Sequence, residues 1–482
     1  MTSAAIVGAA QVIQRPGERS LEDALGPIEL LAEAARRAAA DAGAPALLSR
    51  VDWIGVAGGW FPYRNPAQLV GQHLGLRDVA TALTPISGTT PQDMVALASE
   101  RIIKGDLEVA LVLGGEARWS DRRISRSGRE PSWETAPGEG EPEMLKGFAP
   151  EVITEAQHFG SAATAYALME DRLRVVHGRT VDEQRDFAAR LWAGFSAVAA
   201  ENPYAWDRAL HTAEEVRDAT PDNRMISFPY TKAMVANNTV DMTSALLVCD
   251  SAVALSAGVS RDRMVFPHVV TSSHETWQVL HRNELCETPA LATAGRAAFE
   301  ITGLTVDDIA HIDLYACFPA IVEMSAASLG FGDRRPLTVT GGLGFAGGAV
   351  GNSTGQSIAA MVPLVRAGGY GLVHGNGGNA TKHSFAIYDS RPPGTFVNRD
   401  CQGEVDHRER LEIAEGWTGP VEVEAATVVF DREGPTHVFA AVRNSTGARS
   451  WATSNDQSLM EQAMREGLTG ARGEITSDRQ FR

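Results

Sequence analysis

The chain has 482 residues, of which 44% are hydrophobic and 21% charged, with a formal net charge of −17. That length exceeds one ordinary core, so roughly two to four domains are expected. The acidic balance argues against general binding to nucleic acid or anionic membranes, but leaves room for a local basic pocket.

The N-terminal MTSAAIVGAAQVIQ has no basic region followed by a long apolar run. It reads as a first strand over 4–8 rather than a targeting signal. A helix over 20–42 follows, with Ile28, Leu31, Ala35 and Ala38 on one face. A short apolar strand over 51–56 leads to Gly58 and Gly59. Repeated strand-helix order points to α/β layering. Thr90-Pro91-Gln92-Asp93 reads as a capping-box variant with Pro91 at the first helical position. Met94, Val95, Ala98 and Ile102 continue that helix, Gly105 stops it, and 109–113 is a strand.

Residues 117–228 are more polar, and rich in Arg and Trp. The run WSDRRISRSGR reads as a solvated loop, and its Arg122, Arg123, Arg126 and Arg129 suit an anion or a subunit contact. Helices are expected over 162–177 and 182–202. Asp241 either caps a helix or leads into a buried strand over 245–249. A second α/β half opens at 265–271, with a helix over 288–302 and a strand over 311–314. That strand ends in Tyr315-Ala316-Cys317-Phe318-Pro319.

The stretch 338–388 carries the densest signal. Its glycines permit close backbone approach and tight turns. Asn352 or Ser353 offers an N-cap, and Ile358, Met361, Val362 and Val365 have helical spacing. Gly368 and Gly369 stop the helix, and 370–373 is a strand. His374 ends that strand, before a Gly-Asn-Gly-Gly turn and a strand over 384–388. The helix-strand units 95–117 and 358–380 are alike in pattern, so an internal duplication is expected. After Pro392-Pro393-Gly394 come three strands and a helix over 459–467, a small β module with the look of a partial barrel. Cys249, Cys286, Cys317 and Cys401 are scattered without a CxxC pair, which suggests reduced thiols in a cytosol and no metal site. No stretch approaches the roughly 20 apolar residues of a membrane span.

Duplicated halves, an inserted helical region and these turns together resemble the thiolase superfamily over about 1–388. The similarity is to sterol-carrier-type thiolases and type 1 thiolase-like proteins with an extra C-terminal domain. The resemblance implies an α/β thiolase fold: duplicated βαβαβαββ halves in αβαβα layers, an inserted helical loop domain and a small C-terminal OB-like β-barrel domain. It divides the chain into 1–117 with 229–263, 118–228, 264–391 and 395–482. It implies acyl-CoA or lipid metabolism in the cytoplasm, with CoA thioester as substrate and no required cofactor. It implies no nucleic-acid partner, and a monomer or homodimer.

The chemical positions depart from the family. Ser87, in Ile86-Ser87-Gly88-Thr89-Thr90, stands where a thiolase has its nucleophilic cysteine. A serine hydroxyl needs a positioned base to match a thiolate. Gly348 stands where the activating histidine of a Gly-His-Pro motif belongs, and His374 where the cysteine of Cys-x-Gly belongs. Tyr315 takes the first place of the Asn-Glu-Ala-Phe or His-Asp-Cys-Phe motif, and Cys317 reads as a structural member of it. The candidate catalytic residues are therefore His374, Tyr315 and Ser87, and the candidate substrate-binding residues Asn352, Asn376, Gly348 and Gly375. This pattern argues against an ordinary acetyl-CoA acetyltransferase. It leaves an acyl-CoA C–C lyase or acyltransferase using Tyr315 and His374, or a non-catalytic lipid- or partner-binding protein.

Overall fold

The computed structural model describes residues 3–145, 159–332 and 335–482. The first half contributes β1 (Ala4–Ile13), α1 (Pro27–Asp41), β2 (Trp53–Val56), α2 (Pro66–His73), β3 (Ala80–Leu83), α3 (Thr90–Lys104) and β4 (Val109–Ala117). Next come α4 (Arg118–Ser127), β5 (Glu143–Met144), α5 (Ala162–Val176), α6 (Val181–Glu201), β6 (Met225–Ser227), β7 (Tyr230–Thr231) and β8 (Asp241–Asp250). The second half supplies β9 (Phe266–His274), α7 (Pro289–Thr302), β10 (Ile309–Asp313), α8 (Pro319–Leu329), α9 (Ser353–Ala367), β11 (Tyr370–Gly377) and β12 (Lys382–Asp389). The chain closes with β13 (Val397–Asp400), β14 (Gly419–Phe430), β15 (Pro435–Asn444), β16 (Arg449–Ser454), α10 (Gln457–Arg465) and β17 (Arg472–Ile475).

These elements build an α/β thiolase fold. One sheet runs β1-β8-β4-β2-β3-β5 and a second β10-β11-β12-β9-β13. Between them lie α3 and α9, whose Met94, Val95, Ile102, Ile358, Met361 and Val362 form one buried cluster with both sheets. Helix α1 covers the far side of the first sheet, and α7 and α8 cover the second. The order is thus helix, sheet, helix, sheet, helix. Burial on both faces explains why β4 and β8 read as continuous apolar runs.

The third sheet runs β16-β15-β14-β6-β7, and β17 also pairs with β14. The C-terminal β module is therefore continuous with two strands of the inserted region through Val429 and Ser227. Buried Arg449 joins it to the core. Its guanidinium donates to Glu424 Oε1 and Oε2, each at 2.7 Å, to the Leu280 carbonyl at 2.6 Å, and to the Arg282 carbonyl.

Several expectations are corrected here. Helix α1 starts at Pro27, not near residue 20, because Pro27 fixes its own φ and removes a donor that the first turn cannot use. The capping box at Thr90 does not form: Thr90 Oγ1 donates to the Ser87 carbonyl, and Thr89 is the N-cap residue without a side-chain cap. The arginine-rich run is the helix α4 rather than a loop. Its N-terminus is capped from afar by Asp241, the first residue of β8, whose Oδ1 accepts from the Trp119 and Ser120 amides at 2.8 and 3.1 Å. Asp241 thus does both things its sequence context offered. Residues 397–400 pair with β9 of the core sheet instead of opening the C-terminal module. Strand β11 does not end at His374 but continues to Gly377, so the turn follows at Gly378. Helix α2 and strand β3 had no counterpart in the sequence reading.

Candidate functional site

The end of the second sheet and the turn before α3 meet at one place. In β11, side chains alternate between faces, so Gly375 and Gly377 look one way and His374 and Asn376 the other. The glycine face receives the Ser87-Gly88 turn. A Cβ at Gly377 would come 2.5 Å from Ser87 Oγ, and one at Gly375 would come 3.1 Å from the Gly88 carbonyl. The two glycines are therefore needed for this close approach, and Thr354 Oγ1 ties down the Gly88 carbonyl. Tyr315 packs on the same turn, its ring and hydroxyl 2.8 Å from where a Gly88 Cβ would be.

Ser87 lies just before the N-terminus of the 15-residue helix α3, where partial positive charge gathers. Its Oγ is 3.0 Å from Thr89 Oγ1 and within 3.4 Å of the Thr89 amide. A hydroxyl is its side-chain partner, not a base.

On the other face, Asn376 Nδ2 donates to Tyr166 OH at 3.0 Å and reaches Cys317 Sγ at 3.8 Å. Tyr166 comes from α5 in the inserted region and also receives the Ala380 amide at 2.8 Å. Its ring stacks on Phe318, centroids 4.5 Å apart. Asn376 Oδ1 is buried and has no hydrogen-bond partner among the described residues. Cys317 and Tyr315 are both only partly buried. Burial pushes the Cys317 thiol up to about 12, with Tyr166 pulling the other way. Burial, with Cys317 second, also raises the Tyr315 phenol. Both are protonated at neutral pH. Tyr166 and Cys317 join Asn376 here, and neither was among the candidate site residues. Cys317 lies in the quoted motif and was legible there, whereas nothing around Tyr166 marks it.

His374 is not in this group. It is 1% exposed, stacks on Phe385 with centroids 4.4 Å apart, and places Nε2 3.2 Å from His383 Nδ1. Burial, then His383, holds its pKa well below the usual value. His374 and Tyr315, paired in the lyase or acyltransferase reading, share none of these contacts. Asn352 is the N-cap residue of α9, but its side chain makes no cap bond. Its Nδ2 donates instead to the Gly114 carbonyl and Ser244 Oγ at 2.8 and 2.9 Å, locking α9 to β4 and β8. Gly348 donates its amide to the Asn237 carbonyl at 3.0 Å, and a Cβ there would press on Leu343 at 3.0 Å. Arg122 of α4 donates to Thr239 Oγ1, and Arg129, just past that helix, pairs with Glu22, which occupies two of the four arginines considered for an anion. Among the described residues, no cluster of His, Cys, Asp and Glu could hold a metal ion.

Comparison with known proteins points to a family. A family model described as the thiolase-like protein type 1 additional C-terminal domain matches residues 400–480. The solved structure of a monomeric SCP2-thiolase like protein type 1 from Mycobacterium smegmatis is 29% identical, covers 100% of this chain and 98% of its own, and has a TM-score of 0.84. These likenesses support the thiolase superfamily, type 1 thiolase-like. This thiolase-like chain is also similar in fold to two more distant structures. An Ltp2–ChsH2(DUF35) aldolase is 18% identical, with 81% of this chain and 98% of that chain covered, at a TM-score of 0.61. The dimeric peroxisomal thiolase of Saccharomyces cerevisiae is 14% identical, with 81% and 98% covered, at 0.59. No curated protein matches the chain.

Proposed function

We propose that this thiolase-like protein binds an acyl-CoA thioester around the end of β11, where the Ser87 turn and Tyr315 meet one face and Cys317 and Asn376 the other, and does not run Claisen condensation through an acyl-enzyme. One observation carries the reading: the cluster offers neutral hydrogen-bonding groups and no base paired with Ser87. Claisen condensation through an acyl-enzyme needs an activated nucleophile to carry the acyl group and a base to form a carbanion. Ser87 shares its hydroxyl with Thr89, Gly348 brings no side chain, and His374 is withdrawn among aromatic rings. The orphan Asn376 Oδ1 is an acceptor that a pantetheine amide N–H would satisfy. Gly375 and Gly377 contribute by keeping the turn close, and Asn352 by holding α9 in place. The reading needs no cofactor.

A second reading, C–C lyase action, draws support from the partly accessible Tyr315 and Cys317. In a retro-aldol cleavage of a β-hydroxyacyl thioester, the hydroxyl loses its proton, the Cα–Cβ bond breaks, and Cα takes a proton. In this reading Cys317 gives its thiol proton to Cα and regains the proton that the hydroxyl releases, while Tyr315 hydrogen-bonds the thioester oxygen. The fold likeness to an aldolase agrees with this reading.

The four free cysteines support a reducing cytoplasmic setting. Residues 143–144 pair with Ala82 and Leu83 and shield that part of β3 from another copy, which supports a monomer. The meander β14-β15-β16 with α10 packed on it supports an OB-like C-terminal domain.

Calorimetric titration with CoA and acetyl-CoA tests the proposal. Saturable binding, weakened by Asn376→Ala, is expected; no heat with either ligand overturns it. Incubation with β-hydroxyacyl-CoA then separates the readings. An aldehyde or ketone product establishes the lyase, and binding without product leaves a non-catalytic acyl-binding role.

A further inference from the structure

Helices α6 and α8 diverge to leave an open groove of about 630 Å³, within the range of small-molecule sites. It lies along the body of α8, beyond the Cys317 turn. Its walls are apolar, with Phe187, Leu191 and Val198 from α6 facing Val322, Phe331 and Leu337. Three further observations concern what it holds.

The first is Gly194, near the middle of the 21-residue helix α6. Glycine inside a helix is unfavourable relative to alanine. A Cβ at Gly194 would meet nothing within 4 Å, so no neighbour requires its absence. Gly194 lines the groove, and its effect is to keep that wall low.

The second is charge. The lining carries Arg179, Arg190 and Arg335 against a single carboxylate, Glu323. Glu323 is already taken by Arg179 at 2.7 Å and His177 at 3.3 Å. Arg335 donates to the Val306 and Ile309 carbonyls, and among the described residues no carboxylate pairs with it. Arg190 is exposed, and no carboxylate pairs with it among the described residues. A chain of net charge −17 thus places at one apolar groove two arginines that no described carboxylate neutralises.

The third is shape. Residues from two helices line the groove, and most of its walls offer no hydrogen-bonding group. Apolar walls take the alkyl chain, and guanidinium suits a carboxylate head.

We propose that the groove between α6 and α8 binds an unbranched acyl chain ending in a carboxylate, with Arg190 and Arg335 as charge partners and Gly194 as the opening. The site is independent of the Ser87 cluster and of the function proposed there.

The test uses the full chain and dansylundecanoate below its micelle concentration, with decanoate and decanol as competitors. Saturable fluorescence enhancement is expected, with decanoate displacing the probe better than decanol. Arg190→Glu should weaken decanoate by roughly threefold or more while leaving decanol unchanged. Gly194→Leu should abolish binding while keeping or raising the melting temperature, so loss of binding is not loss of fold. Tyr315→Phe should bind the probe as the parent does. Failure of the parent chain to bind, undiminished binding by Gly194→Leu, equal competition by decanol, or loss of binding in Tyr315→Phe overturns the proposal.

Discussion

His374 and His383 stand side by side on adjacent strands, with His374 Nε2 3.2 Å from His383 Nδ1. His383 Nε2 lies 3.1 Å from the Ala380 carbonyl and must donate to it, so His383 Nδ1 accepts and His374 donates. The pair is a neutral, buried relay that holds the β11–β12 hairpin. It is not a base poised over a substrate.

His374→Ala should therefore act on stability. Removing a ring stacked on Phe385 leaves a cavity, at a cost of about 2–4 kcal/mol. CoA affinity, where present, should be unchanged. Urea denaturation beside ligand titration checks this. Normal stability with lost binding would return His374 to the site.

Two buried groups give opposite pH dependences. Burial brings His383 from 6.5 down to about 3. The unfolded chain then binds the extra proton, so this contribution is full above about 6.5 and is lost as pH falls toward 3. Glu170 runs the other way. Burial, then the nearby Glu323, raises it from 4.5 to about 7, so its contribution is present below 4.5 and lost as pH rises through 7. Glu170→Gln should flatten the melting temperature between about pH 5 and 8. An unchanged slope across that range would show that Glu170 is ionised in the folded chain.

Ser87→Ala should remove one hydroxyl pair with Thr89, at a cost of about 1 kcal/mol. Acetyl-CoA incubated with the parent protein should leave no acetyl adduct on Ser87 in a mass spectrum. A stable adduct that Ser87→Ala abolishes would establish an acyl-enzyme.

Arg449→Ala should be among the most damaging single changes in the C-terminal module. It removes a fully buried guanidinium and leaves Glu424 buried with Arg443 alone. A loss of about 3–5 kcal/mol is expected. Denaturation measures it, and early proteolytic release of residues beyond 400 would show that the tie to the Leu280 and Arg282 carbonyls is broken.

Much of the fold follows from local pattern. Pro27 and Pro91 at helix starts, and Gly105 and Gly303 in the left-handed region at helix stops, are local instructions that burial does not override. The helix-strand repeat at 90–117 and 353–377 was legible because each half must bury the same faces, and α3 and α9 do pack against each other between the sheets. Ser87 and Tyr315 were legible as a turn serine and the head of a motif, and the structure brings both to Gly88. The faces of β11 were not. A strand's side chains alternate, so one residue of parity separates His374 from the Ser87 turn and gives Gly375 and Gly377 to it. Tyr166 lies 210 residues from Asn376, and only tertiary packing could join them. Asn352 and Asp241 carry the same lesson. By sequence alone both were caps or ligands of their own neighbourhoods. The structure spends their polar atoms on distant buried backbone and hydroxyl groups, because those groups must be paired once water is excluded.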